Sequence, residues 1–161
     1  MYLTEILARC SDLERRMAKL YRLLAARFPD SADSTRLWRE FALEDETYAD
    51  ILRRELRNLE EADDSGAFLP EYAAPLADAD RVVADFERRA RELKSLDEAL
   101  VLSLGLEQVT LEDLYDDLVV KGPPAFKPIC ERLEASLSAR PAADVPGVPR
   151  RRRDRTSALK A

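Results

Sequence analysis

Apolar positions recur every three or four residues over most of the chain, the spacing of helices with one buried stripe. Leu3, Ile6, Cys10, Leu13, Met17, Leu20, Tyr21, Leu24 and Phe28 predict a first helix, A, over about Thr4 to Phe28. Pro29 breaks it in "PDSADS", where Asp33 or Ser34 is the expected N-cap of the next helix. Helix B carries Leu37, Trp38, Phe41, Tyr48, Leu52, Leu56 and Leu59 and is expected to end at "DDSG" with Gly66. So short a connection makes A and B antiparallel neighbours.

Residues 67–77, "AFLPEYAAPLA", hold two prolines and no helical period, which predicts a crossover, followed by an extra helix at about Asp80 to Leu93. A capping box, Ser95 with Glu98 three residues on, opens helix C, which is expected to reach Lys121 and stop at Gly122. Two apolar faces, Leu100, Leu104, Leu111, Leu114 and Leu118 on one and Leu102, Leu106 and Val109 on the other, predict that C is the most buried helix or also faces a partner. Helix D, about Pro124 to Ala139, is short and carries Phe126, Ile129, Cys130, Leu133 and Leu137.

These elements predict an all-α fold: an antiparallel four-helix bundle over residues 1–139, with a crossover between B and C that carries the extra helix. Four glycines in 161 residues, and few alternating Val or Ile, leave no competing strand signal. After Arg140, "PAADVPGVPRRRRDRTSALKA" has no apolar period, and residues 140–161 are expected to be a disordered basic tail.

Charge sharpens that division. The net charge is −6, but the tail holds seven Lys and Arg against two acids, whereas the body holds 19 against 30. An acidic body argues against a nucleic-acid-binding domain, which leaves at most weak contacts by the arginine run. The tail reads equally as a solubilising segment or as an arm for phosphates or acidic protein surfaces. Glu5 and Asp12 interrupt the first helix, so neither a signal peptide nor a membrane span is expected, and the cytoplasm is the default location. Cys10 and Cys130 form no C-x-x-C and fall on apolar faces, as reduced core thiols do.

Three acids interrupt the apolar stripes: Glu14 among Cys10, Met17 and Tyr21; Asp45 among Phe41, Tyr48 and Leu52; Glu107 among Leu100, Leu104, Leu111 and Leu114. A lone buried carboxylate costs several kcal/mol unless it is neutralised, paired or bound to a cation. They either sit at stripe edges paired with arginines such as Arg9, Arg15 or Arg53, or share a proton, or converge on a metal. Inward carboxylates from separate helices are hard ligands for Fe, Mn or Mg.

"DLERRMAKLYRLLA", with Tyr21 seven residues after Glu14, resembles the first helix of the rubrerythrin branch of the ferritin-like superfamily. "SLDEALVLSLGLEQVTLEDLYDDL", with Tyr115 eight residues after Glu107, resembles its third, so the two halves of the chain are similar to each other. The resemblance spans about residues 3–139 and implies a di-iron bundle that oxidises ferrous iron or reduces peroxide. It implies metal ligands at Glu14 and Glu107, at Asp45 and Tyr48 in place of one E-x-x-H, and at Glu131 and Glu134 in place of the other. The chain has no histidine and no paired C-x-x-C, so neither E-x-x-H is intact and an electron path through a rubredoxin-like module is excluded. On the apolar stripe of helix D, Glu134 falls on the flank and Glu131 far from the centre, against that alignment. The expectations are a site for iron or manganese with at most weak oxidase or peroxidase chemistry, in a homodimer or larger homo-oligomer. The alternative is a metal-free helical interaction module.

Overall fold

The computed structural model describes residues 1–63, 65–107, 111, 114–115 and 126–138, with Glu107, Cys130, Leu133, Glu134 and residues 136–138 described for their backbone alone. The fold is all-α: among these residues there are five α-helices, α1 (Leu3–Arg27), α2 (Ala32–Glu61), α3 (Ala73–Glu92), α4 (Leu96–Glu107) and α5 (Lys127–Ser138), and a 3-10 turn at Pro70–Tyr72. The expectations for the tail, for the second half of helix C and for its stop at Gly122 fall outside the described residues, although Leu111, Leu114 and Tyr115 are helical. No helix among the described residues is long and apolar enough to cross a membrane.

Helices α1 and α2 form the core pair, and their cross-contacts fix its direction. Thr4 meets Ser65, Ser11 Oγ donates to Ala49 O at 2.9 Å, the Tyr21 ring lies 5.2 Å from Phe41, and Phe28 lies 6.4 Å from Trp38. As one number rises the other falls, so the helices are antiparallel, as the short connection requires. Their outer edges are tied by Arg15 to Asp50 and by Arg22, both of whose donors reach Glu46 at 2.6 Å.

The start of α1 is closed by the loop after α2. Leu3 N–H donates to Ala67 O and Thr4 N–H to Ser65 O, which satisfies amides that a helix N-terminus leaves bare. Glu5 accepts from the Tyr2 N–H at 2.6 Å, and Tyr2 stacks edge-on against Phe68. Gly66 does not cap α2, which ends at Glu61 with Ala62 as its cap; it lies at φ 73° against Leu3. A Cβ there would come within 2.6 Å of the Leu3 Cβ, so close approach rather than capping demands the glycine.

The crossover is mostly helix, which corrects the expected start of its helix at Asp80. Helix α3 begins at Ala73, and Leu76, Val83, Phe86 and Ala90 form its buried stripe. Pro75 falls in the first turn, where a missing N–H breaks no hydrogen bond, so the two prolines do not exclude helix there. Helix α3 runs beside α1 in the same direction: Arg16 binds Asp80 and Glu87, and Arg27 donates to the carbonyls of Ala90, Arg91 and Leu93. It thus carries the chain back along the α1–α2 pair before α4 begins.

Ser95 opens α4, accepting from the Glu98 N–H at 3.2 Å while Glu98 accepts from the Lys94 N–H at 2.7 Å. The burial expected for helix C can be followed only over its described first part. Helix α4 buries Ala99, Leu102, Ser103 and Leu106 but leaves Val101 63% and Leu104 46% exposed. Among the described residues the central helix is α1, with 13 buried residues, because α2, α3 and α4 all pack on it. Phe126 and Ile129 are buried where α5 meets α2, and Arg132 of α5 pairs with Glu55 at 2.7 Å. The α2 start also moves: Ser31 is the N-cap, with its hydroxyl on Ser34.

Candidate metal centre

Among the described residues Glu14 and Asp45 are the two carboxylates buried within the core, 3% and 0% exposed. Each occupies an interior position of an otherwise apolar stripe, Glu14 between Cys10, Met17 and Tyr21 and Asp45 between Phe41, Tyr48 and Leu52, all buried. Neither lies at a stripe edge. Arg15 pairs instead with Asp50 at the surface, and Arg9 and Arg53 are exposed. With Ser11 opposite Ala49 and Tyr21 against Phe41, the register brings Glu14 and Asp45 within about one helical turn of each other along the core.

The helical segment beyond α4 supplies a third polar group. Tyr115, 2% exposed, donates its hydroxyl to Glu14 Oε1 at 2.9 Å. Its ring fills the core while its hydroxyl meets a buried carboxylate, the arrangement that makes a buried tyrosine affordable. Tyr21 is fully buried against Phe41, and Cys10 is a fully buried thiol.

Tyr48 is buried, but its hydroxyl donates along α2 to Glu44 Oε1, a long contact of 3.5 Å at the partly buried margin. Glu131 is exposed on α5, consistent with that helix's apolar period and not with the family alignment. The side chains of Glu107 and Glu134 lie outside the described residues. Among those described, no three His, Cys, Asp or Glu gather into a cluster that could hold a metal ion. The structure therefore joins Tyr115 to Glu14, sets Asp45 at nearly the same level of the core, and leaves Glu131 exposed.

No family model, curated protein or solved structure matches the chain. The reading of the site rests on its geometry and donor chemistry.

Two charged features escaped the sequence reading. Arg16, with 19% of its side chain exposed, bridges Asp80 and Glu87, which are seven residues apart on one face of α3. Its hydrogen bonds hold the Glu87 carboxyl below the ordinary 4.5, and Arg22 lowers Glu46 in the same way. The signal for this bridge lay in the spacing of Asp80 and Glu87, but it needs the parallel placement of α3 to be read. The second feature is a cluster of arginines around Arg53, visible in sequence as "RRELR".

Proposed function

We propose that the chain is a ferritin-like, rubrerythrin-type four-helix bundle whose interior carboxylates bind a hard cation, iron or manganese. The observation that carries this reading is the burial of Glu14 and Asp45 on adjacent helices at nearly the same level of the core. Carboxylate and phenol oxygens are hard donors that suit these metals better than softer ones. Glu14 and Asp45 would be the protein ligands, Tyr115 would hold the Glu14 carboxylate in place, and Glu107 and Glu134 are the remaining candidates. A bound iron ion would supply one-electron redox chemistry and would offset the cost of the buried negative charge.

The donors fit one cation better than two. The chain has no histidine, Glu131 is exposed and the Tyr48 hydroxyl is engaged with Glu44, so both family E-x-x-H positions lack their usual donors. Iron oxidation or peroxide chemistry would therefore be weak at most. This chain's residues hold two carboxylates in a buried core and contact one of them through Tyr115.

A second reading, a metal-free interaction or dimerisation module, is favoured by Val101 and Leu104, which are exposed apolar residues on α4. Metal analysis of protein made in iron- and manganese-supplemented medium separates the two readings, together with melting of a Glu14→Gln, Asp45→Asn double variant. Metal binding predicts about one ion per chain and a variant that melts lower than the metal-loaded chain. No bound metal and a variant that melts higher would establish the second reading, since neutralising buried carboxylates then removes a cost.

A further inference from the structure

On the outer side of the α1–α2 pair an open cavity of about 470 Å³ is lined by Arg15, Asp50, Arg53, Arg54 and Arg57. Four guanidinium groups face one carboxylate there, on a chain whose acids outnumber its bases, 32 to 26. Arg16, Arg22, Arg36, Arg81 and Arg88 each have an acid within ion-pair distance. Among the described residues Arg53, Arg54 and Arg57 have none. Arg53 and Arg57 are one turn apart on α2, where neighbouring like charges repel and lower helix stability. Arg15 forms the opposite wall from α1, held by Asp50 at 3.2 Å.

We infer that this groove binds a small polyphosphate anion, either free or as the phosphate chain of a nucleotide. Guanidinium forks pair two donors with two phosphate oxygens, and an array of four suits an anion with charges on successive groups rather than a single one. The volume lies within the range of small-ligand sites. No aromatic or aliphatic side chain lines the groove, so recognition falls on the phosphates and not on a base. The site is separate from Glu14 and Asp45, which are buried inside the pair, and does not depend on a metal there.

The test is calorimetric titration of the full chain with pyrophosphate, orthophosphate and ADP. Pyrophosphate is expected to bind at one saturable site, roughly tenfold more tightly than orthophosphate, and to raise the melting temperature. An Arg53→Gln, Arg57→Gln variant, checked for helicity by circular dichroism, is expected to lose at least about tenfold in affinity and the thermal shift. An Arg36→Gln variant, and one with Arg150, Arg151, Arg152 and Arg153 all changed to Gln, are expected to keep both. ADP binding no tighter than pyrophosphate upholds recognition of phosphate alone, and tighter ADP binding that is lost in the Arg53, Arg57 variant makes a nucleotide the source. The inference is overturned if pyrophosphate shows no saturable binding, if the Arg53, Arg57 variant binds as the unaltered chain does, or if only the tail variant loses binding.

Discussion

The Tyr115 hydroxyl donates to Glu14 Oε1 at 2.9 Å, joining residues 101 positions apart inside the core. A hydrogen bond to a buried carboxyl group is worth more than its net contribution suggests, because deleting the donor leaves the acceptor out of water without replacement. Tyr115→Phe is therefore expected to lower unfolding free energy by about 1–3 kcal/mol in urea titrations. In a Glu14→Gln background the same change is expected to cost less. Equal costs in both backgrounds would show that the hydroxyl does not act on Glu14.

The depressed Glu87 and Glu46 carboxyls fix the sign of an acid effect. A carboxyl whose folded value lies below its unfolded one stabilises the fold above the unfolded value, and loses that contribution as pH falls through the folded one. Melting temperature is therefore expected to hold from neutrality to about the ordinary value of 4.5 and to fall below it. Glu87→Gln removes the less exposed of the two pairs: at pH 7 it is expected to cost about 1 kcal/mol, and its acid decline to be shallower. Melting curves of both proteins between neutral and acid pH check this, and parallel curves would remove Glu87 from the effect.

How much of this could be read from the sequence differs between elements. Helix α1 was legible almost to the residue, because its stripe is long, strongly periodic and punctuated by Pro29. The start of α3 was not, since prolines near residue 70 resemble a loop unless one of them falls in a first turn. Burial of Glu14 and Asp45 was legible because each stripe is fixed by many apolar residues around it. Glu131 shows the opposite case: a resemblance placed it inward and the α5 period outward, and the period agrees with its exposure. The bond between Tyr115 and Glu14, and the two partners of Arg16, depend on which helices pack together, which no single helix encodes.

Gly66 is held to its identity by two separate constraints. Its φ of 73° disfavours any side chain, and an added Cβ would strike Leu3 at the start of α1. Gly66→Ala is expected to destabilise the chain by about 1–3 kcal/mol, with faster amide exchange at Leu3 and Thr4, whose N–H groups bond to Ala67 and Ser65. Unchanged exchange at those two amides would mean that the loop does not clamp the helix start.

The direction in which α4 packs can be tested by two substitutions on opposite sides of it. Leu102 is 1% exposed and Leu104 is 46% exposed, although the sequence places both on apolar faces. Leu102→Ala removes a fully packed side chain and is expected to cost about 2–5 kcal/mol. Leu104→Gln changes a side chain already half in water and is expected to stay within about 0.5 kcal/mol of the unaltered chain when measured as a monomer. Concentration then gives the second readout. If Leu104 and Val101 join copies of the chain, sedimentation shows assembly in the unaltered protein that Leu104→Gln weakens, and stability that rises with protein concentration only when Leu104 is present. Stability and sedimentation that do not vary with concentration in either protein would remove this face as a contact between copies.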